Sequence, residues 1–409
     1  MQDVTGCLPS PPIPPFADDP DAISGPWIEV NLAALDHNLD QIHRQARTAL
    51  MPVIKANAYG HGLVAVGRHL ARHPAVRALA VGTLREAFEL RHAGVERPVL
   101  NLGPFSAAEA QPLVALGIAQ SVFTRGVEWL DRAAAAQGRT ARVHLKIDTG
   151  LGRVGVEHDR AVEFARMVAG LPHVRIQGVF TTLSEDPRLD RVQMERFQAV
   201  LAGLAALGID PGWRHAASSA SILASPRYAL DLVRPGIMVF GHYPSADACR
   251  RRPVDLRPAL ALKTRVVYVK RLRAGDPVGY HGVYRAPADE VLITGAIGYP
   301  DGYPVQAAGR AEALIHGVRH PLVAPVTANH IYLRGGLPTV APGDEIVLYG
   351  RQEAQCIPLE EVAAAVARSA YNLLARLNPL LPRFYRGGQG SGTLENRPAS
   401  GGGERKPAS

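Results

Sequence analysis

Short apolar runs alternate with longer amphipathic segments through the first half of the chain. The amphipathic segments, which predict helices, include residues 61–73, 84–92, 161–169 and 189–207. The apolar runs, which predict buried strands, are residues 51–54, 78–81, 99–102, 143–147 and 176–180. Such sustained alternation is typical of a parallel sheet with helical crossovers. We therefore predict an N-terminal TIM-type (β/α)8 barrel.

The pattern changes after about residue 256, where short runs separated by Gly, Pro and Asp turns replace the long helical segments. Strands are predicted at residues 262–270, 291–297, 312–315, 323–326 and 345–349, with a helix only at 359–377. These features indicate a second, mainly β domain. The predicted organisation is an extended or disordered arm over 1–25, the barrel over 26–256, the β domain over 257–386 and a disordered Gly/Ser-rich tail over 387–409.

Composition and charge exclude several classes of protein. The 409 residues are 47% hydrophobic and 20% charged, which is typical of a globular protein. The net charge of +8 is spread along the chain, so it favours a basic surface or an anionic substrate over nucleic-acid binding. Cys7, Cys249 and Cys356 are too few for a disulfide framework or a zinc site. With no visible signal peptide or spanning segment, we expect a cytoplasmic protein without metal or membrane contact.

Lys55 follows one of the predicted buried strands and is a candidate for covalent chemistry. A residue at the carboxyl end of a barrel strand faces the mouth, where the active sites of such barrels lie. Desolvation there lowers the pKa of a lysine and provides the nucleophilic amine that a Schiff base requires. From the residues alone, a lysine that simply reaches solvent remains the ordinary alternative.

Five motifs follow one another in a specific order. They are MPVIKANAYGHG at 51–62, KIDTGLGRVG at 146–155, HAASSA at 215–220, RPGI at 234–237 and VGYHGVY at 278–284. The first closely resembles the cofactor-lysine signature of the alanine racemase family, the two-domain pyridoxal 5′-phosphate (PLP) enzymes of fold type III. The other four resemble the later motifs of that family. The resemblance covers residues 26–385.

The resemblance implies roles for residues of both domains. Lys55 would hold PLP as a Schiff base, and Lys146 matches a lysine that can be carbamylated. Arg153 would contact the cofactor O3′ and the substrate carboxylate. Tyr280 matches a catalytic tyrosine that reaches the cofactor of the partner subunit, so a head-to-tail homodimer is implied. The remaining cofactor-binding positions are Tyr59, His215 and Arg234 around the ring, and Ser219, Gly236 and Ile237 at the phosphate.

The sequence departs from the family pattern at three places. Thr182 stands where the family usually has a histidine close to the cofactor ring. Ala328 and Asn329, the candidate substrate-binding pair, replace a Met-Asp pair at the substrate entrance, which would widen it and remove one negative charge. A tyrosine of the phosphate network falls at Pro379, for which Tyr371 or Tyr385 would compensate. These changes affect the substrate more than the reaction type.

The residues favour racemisation of an amino acid, alanine or a somewhat larger one, by two bases. Lys55 would act on one face of the α-carbon and Tyr280 on the other. A fold type III decarboxylase is an alternative, but such enzymes place an acid at the pyridine nitrogen, where this chain has Arg234. A non-catalytic PLP carrier is another, although carriers are single barrels. A third is a relative recruited to a biosynthetic pathway with a different substrate or α-carbon reaction.

Overall fold

The structure is a computed structural model that describes residues 19–335 and 339–387. The predicted arm before residue 19, the tail beyond residue 387 and Cys7 lie outside the described residues. The described remainder of the arm contains one short 3-10 turn, Pro20–Ala22, which Asp19 caps. Among the helices of this part of the chain, none has the length and apolar character needed to cross a bilayer.

The first half of the chain forms a curled parallel sheet that confirms the predicted TIM-type barrel. Its strands are, in chain order and after the outlying β1 (Trp27–Asn31), β2 (Ala49–Leu50), β3 (Leu79–Val81), β4 (Val99–Asn101), β5 (Ala119–Val122), β6 (Ala141–Asp148), β7 (Val156–Glu157), β8 (Val174–Phe180), β9 (Trp213–His215) and β10 (Leu232–Val233). The parallel order is β3-β4-β5-β6-β8-β9, and β7 pairs with β6. The pair β10-β2 joins both edges through the bridges Val53↔Ala80 and Ser218↔Arg234, so the sheet curls round to meet itself.

Helices follow the strands and cover the outside of the barrel. They are α1 (Leu32–Ala46), α2 (Lys55–Tyr59), α3 (Leu63–Leu70), α4 (Leu84–His92), α5 (Ala110–Ala115), α6 (Val127–Ala136), α7 (Ala161–Ala169), α8 (Pro187–Ala206), α9 (Ser219–Ala224) and α10 (Ala246–Arg251). Side-chain caps fix several starts. Thr83 and Glu86 form a capping box at α4, and Asp186 accepts the first free N–H groups of α8. The element α2 is left-handed.

The second half of the chain is mainly β, as predicted. Its strands are β11 (Leu260–Leu272), β12 (Pro277–Val278), β13 (Tyr284–Arg285), β14 (Glu290–Gly295), β15 (Glu312–Ile315), β16 (Val318–Pro321), β17 (Ile331–Gly335), β18 (Glu345–Gln352), β19 (Gln355–Ile357) and β20 (Arg383–Arg386), with helices α11 (Leu359–Ala365) and α12 (Ala370–Ala375). The main sheet has the order β16-β15-β18-β11-β1-β20, and β14 links β11 to β17.

Strand β1 lies in the second sheet although the sequence pattern placed residues 26–256 in the barrel. It pairs antiparallel with β11, for example Ile28 with Leu262, and parallel with β20, for example Val30 with Tyr385. The division at residue 256 itself remains a prediction. The chain therefore begins its described strands in the second domain before it builds the barrel.

Four predicted elements differ in the structure. Residues 323–326 are not a strand, because prolines at 321 and 325 remove ladder donors, and Val318–Pro321 pairs with β15 instead. The predicted helix 359–377 is two helices, since Ala367 has a φ of +53° and Ser369 caps a new start. Residues 51–54 form only the isolated bridge at Val53, because β2 already ends at Leu50, and the predicted helix 61–73 is shortened to Leu63–Leu70.

Candidate active site

Lys55 begins a left-handed helical turn at the carboxyl end of β2. Residues 56–60 all have positive φ angles, between 50° and 78°. The turn is closed by the bonds from Ala58 N to Ile54 O and from Gly60 N to Ala56 O, both 3.0 Å. A left-handed conformation costs an L-residue roughly 1–2 kcal/mol, so the surrounding structure has to hold these residues in place. Backbone strain of this kind concentrates at functional sites.

The surroundings of Lys55 lower the pKa of its amine. The side chain is open to the barrel mouth, yet desolvation by the surrounding protein lowers its pKa, and the nearby Arg153 lowers it further. Glu86 acts in the opposite direction. A lowered pKa increases the fraction of neutral amine, which is the form that attacks a carbonyl group.

A buried chain of three polar side chains lies behind the mouth. Arg234 donates through Nη1 to His215 Nδ1 at 2.8 Å, and His215 Nε2 lies 2.9 Å from His144 Nδ1. Arginine can only donate, so His215 accepts at Nδ1 and donates from Nε2 to His144. Burial lowers the pKa of both histidines, that of His144 to about 3, and keeps them neutral. Arg234 also donates through Nη2 to two carbonyls, those of Thr181 and Ala216.

His144 is a residue that the sequence interpretation missed. It precedes Lys146 by two positions on β6, so the two side chains share one face of the strand. A Cβ at Gly178 on the adjacent strand would overlap the imidazole of His144, which explains the glycine there. A histidine inside an apolar strand, on the same face as Lys146, was the available signal.

A backbone turn and a serine form a cradle at the end of the barrel. Gly236 N donates to Ser219 Oγ at 3.0 Å, and both groups are buried. A Cβ at Gly236 would lie 2.9 Å from the hydroxyl of Tyr59, so only glycine leaves the cradle open. Ile237 then begins a short 3-10 turn, Ile237–Phe240. Hydroxyl groups and backbone N–H donors in a glycine turn are suited to a phosphate group.

The family pattern places a tyrosine of the phosphate network at Pro379, and the positions of three tyrosines indicate which residue could replace it. The ring of Tyr371 lies 6.0 Å from that of Tyr59, and burial raises the pKa of both hydroxyls. Tyr385 instead donates its hydroxyl to the carbonyl of His61 at 3.1 Å. Of the two residues proposed to compensate, Tyr371 therefore packs against a cradle residue, whereas Tyr385 binds the turn that follows Lys55.

Positive charge dominates the barrel mouth. Lys146 is buried, donates to Thr182 Oγ1 at 2.6 Å and lies 4.8 Å above the ring of Phe180. Burial, followed by the charges of Arg234 and Arg153, lowers its pKa well below the ordinary value. Among the described residues, no carboxylate forms an ion pair with Lys146, Arg153 or Arg234. The site fits an anionic cofactor and an anionic substrate, because each would supply the missing negative charge.

The loop that carries Arg153 is ordered by Asp148. Its carboxylate accepts the N–H groups of Gly150, Leu151 and Gly152 at 2.9–3.2 Å. Arg153 itself is exposed, and its charge lowers the pKa of both Lys55 and Lys146, so it lies near both at the mouth. An arginine in this position is able to bind a carboxylate in a bidentate manner.

The candidate residues of the second domain lie apart from this group. Tyr280 is 79% exposed and begins the turn Tyr280–Gly282. Ala328 and Asn329 form the tip of a tight turn in which Thr327 N donates to His330 O at 2.9 Å. Within the described part of the chain, no hydrogen bond connects these three residues to the barrel mouth. The other nine candidate residues all belong to the barrel.

Comparisons with known proteins cover both domains. Residues 30–244 match the family described as "Alanine racemase, N-terminal domain" and residues 259–385 match "Alanine racemase, C-terminal domain". The alanine racemase of Symbiobacterium thermophilum is 39% identical over 377 residues, which cover 90% of this chain and 99% of the relative. The crystal structure of alanine racemase from Streptomyces lavendulae superimposes with a TM-score of 0.85 at 32% identity, over 90% of this chain and 98% of the other. The histidine racemase of Leuconostoc mesenteroides gives a TM-score of 0.80 at 29% identity, over 88% and 98%.

Proposed function

We propose that this chain, which belongs to the alanine racemase family, uses Lys55 and Tyr280 as the two proton-transfer groups of its reaction. The chain is a PLP-dependent amino-acid racemase. The observation that carries the assignment of Lys55 is the grouping at one barrel mouth of a lysine with lowered pKa, a phosphate-type cradle and a buried arginine without an acid partner.

Different residues of the barrel would bind different parts of the cofactor. Lys55 would hold it covalently, and Ser219, Gly236 and Ile237 would bind its phosphate together with Tyr59. Arg234 would face the ring nitrogen, where its fixed positive charge would disfavour protonation of that nitrogen and so discourage transamination. When bound, PLP makes the α-proton of an attached amino acid acidic by electron withdrawal.

Proton transfer is assigned to Lys55 Nζ on one face of the α-carbon and to the Tyr280 hydroxyl on the other. One group removes the α-proton while the other delivers a proton, so the configuration inverts. Because Tyr280 is 79% exposed and, among the described residues, no hydrogen bond joins it to the barrel of its own chain, we assign it to the barrel mouth of a second copy. Val283 and Tyr299, which are also exposed, add apolar surface that such a head-to-tail homodimer would cover.

The substrate is proposed to be alanine or a somewhat larger amino acid. Arg153 supplies a cation for its carboxylate, and Ala328 offers little bulk at the entrance. Asn329 is neutral, so the entrance tolerates negatively charged substrates that a carboxylate at this position would repel. Among proteins of this fold, one neighbour is named a histidine racemase, which supports a site that accepts larger side chains.

Lys146 is proposed to carry a carbamate. Its lowered pKa increases the fraction of neutral amine, and a neutral amine can add to carbon dioxide and release a proton. The product is an anion close to Arg153 and Arg234, which would replace a like-charge repulsion by two attractions. Thr182 Oγ1 is placed to donate to the new carboxylate.

We also keep a cytoplasmic location as a proposal. Cys249 and Cys356 are free thiols in the structure, which fits a reducing compartment.

Deuterium exchange at Cα tests this assignment. Purified holoenzyme is incubated in D₂O with alanine and with larger amino acids, starting from each enantiomer, and deuterium and chirality are followed. Tyr280→Phe is expected to slow abstraction from the L-substrate by about 10²-fold or more and to affect the D-substrate far less. Tyr268→Phe, at another exposed tyrosine of the same domain, serves as the matched control. Equal losses in both directions would rule out the two-base assignment.

The Tyr280→Phe variant also tests whether each active site combines residues of two copies of the chain. Lys55→Ala and Tyr280→Phe chains, each expected to lose most of the racemase activity when alone, are co-refolded in equal amounts. If the site combines residues of two copies, mixed dimers contain one intact site and restore roughly a quarter of wild-type activity. No recovery, with dimers present, would place both residues in one chain.

A further inference from the structure

The turn that carries Lys55 is held by the last described strand of the chain. Arg383 opens β20, which pairs with β1 in the second sheet. It is only 7% exposed, and its Nε donates to the carbonyl of Gly60 at 2.8 Å. Gly60 ends the left-handed turn, so a residue 323 positions away bonds directly to the strained segment.

The other donors of Arg383 are also committed to carbonyls. Nη1 donates to Pro379 O at 2.9 Å and to Leu381 O at 2.7 Å, and Nη2 donates to Asn378 O at 3.2 Å. No carboxylate within the described ranges forms an ion pair with this guanidinium. The guanidinium of Arg383 therefore holds backbone carbonyls of the barrel turn and of the segment that precedes β20.

Neighbouring carbonyls of the turn are fixed in the same way. The hydroxyl of Tyr385, two residues further along β20, donates to His61 O at 3.1 Å. His61 Nδ1 lies 2.9 Å from Tyr59 O. The carbonyls of residues 59, 60 and 61 thus each accept from a side chain, and two of the three donors come from β20.

The fit between the turn and the end of the chain leaves little free space. A Cβ at Gly60 would lie 2.6 Å from the carbonyl of Leu374, and one at Gly62 would overlap the hydroxyl of Tyr385. At the other end of the turn, Glu86 accepts from Asn57 N at 3.3 Å. The segment has no room to relax while these contacts persist.

We propose that Arg383 is a positioning residue for Lys55, which it serves by holding the left-handed turn in the geometry that presents the amine to the cofactor. The proposal rests on the proposed function, because it takes Lys55 as the covalent attachment point. Residues 56–59 are L-residues with positive φ and favour other conformations once the tie is removed. Relaxation of the turn would move the amine relative to the phosphate cradle at Ser219, so attachment and phosphate binding would no longer be satisfied together.

The test compares Arg383→Met with Arg265→Met. Arg265 belongs to the same sheet and also donates to the carbonyls of Ile23, Pro20 and Gly343, as well as to the carboxylate of Asp21. Within the described ranges, none of its hydrogen bonds goes to the turn. Cofactor affinity is measured by titrating the protein with PLP and following the visible absorption of the lysine-bound cofactor. Thermal unfolding is measured in parallel.

Arg383→Met is expected to raise the Kd for PLP by at least about tenfold and to shift the pH profile of the absorption band, whereas Arg265→Met stays within about twofold. Arg383→Lys, which keeps the charge but not the planar fork, should lie between them. A rise in Kd that is equal in the two Met variants, or a fall in unfolding temperature without a change in Kd or band, would overturn the proposal.

Two further measurements keep the result interpretable. If Arg383→Met does not fold, Tyr385→Phe removes one bond to the turn and should still raise the Kd by a few-fold; an unchanged Kd would then count against the proposal. Borohydride reduction and peptide mapping of the wild type show whether PLP is attached to Lys55. Attachment elsewhere would refute the proposed function, whereas attachment at Lys55 with unaffected variants would refute only the role of Arg383.

Discussion

Replacement of His144 by Asn should flatten the dependence of stability on pH below neutrality. The Asn amide oxygen is able to accept from His215 Nε2 in place of His144 Nδ1, so the link to Arg234 is retained while one titrating group is removed. The smaller side chain leaves a void, which lowers stability by a similar amount at every pH. Only the slope of the unfolding free energy against pH then reports on the protonation of His144.

The magnitude follows from the lowered pKa of His144. The group binds a proton near pH 6.5 in the unfolded chain but only at about 3 when folded, because burial disfavours the charged form. Its contribution to stability is complete above the unfolded value and is lost as the pH falls towards the folded one. Between pH 7.5 and 5 the wild type should lose about 2 kcal/mol through this residue, with a slope that approaches about 1.36 kcal/mol per pH unit below pH 6. The Asn variant lacks this loss.

Urea unfolding of the holoenzyme at pH 7.5, 6.5 and 5, at fixed protein and excess PLP, measures the difference. Assembly and cofactor terms are common to both proteins and cancel in the comparison. His92→Asn, at the exposed last residue of α4, controls for the loss of an imidazole at the surface. Parallel curves for wild type and His144→Asn would show that the imidazole is not held neutral by burial and would refute the reasoning.

Two further substitutions test the geometry around the cofactor. Ser219→Ala removes the hydroxyl of the phosphate cradle and should raise the Kd for PLP about tenfold, read from the absorption titration; an unchanged Kd would exclude Ser219 from the cradle. Gly178→Ala places a methyl group against His144 and should cost about 1–3 kcal/mol of unfolding free energy, whereas Gly25→Ala, with no atom within 4 Å of the added methyl, should cost far less. Similar losses at the two glycines would contradict the packing argument.

Local pattern was sufficient where an element is determined by its own residues. Helices Leu84–His92 and Ala161–Ala169 begin and end where the periodicity predicted, because an apolar stripe and, in the first, a capping box define them. Strand β1 could not be assigned in this way. Its pairing with residues 260–263 and 383–386 depends on contacts more than two hundred positions apart, about which a local pattern contains no information.

The candidate site shows the same limit. Motif resemblance predicted the residues that we propose to bind the cofactor or the substrate, such as Lys55 and Arg234, since their chemistry demands one residue type. It did not identify His144 or Arg383, which act through other residues. The left-handed turn was also not predicted, because Ala, Asn and Tyr favour right-handed or extended backbone and adopt positive φ only under tertiary constraint.

The strained left-handed turn and the clustered positive charges both destabilise the barrel mouth of the apoprotein. The turn after Lys55 needs external donors to stay left-handed, and Lys146, Arg153 and Arg234 repel one another without an acid partner among the described residues. An anionic cofactor would relieve the repulsion and, attached to Lys55 as proposed, would add a covalent restraint to the turn. Binding therefore stabilises the folded chain by RT ln(1 + [L]/Kd), and residues that hold the turn, such as Arg383, act on stability and on cofactor affinity through the same segment.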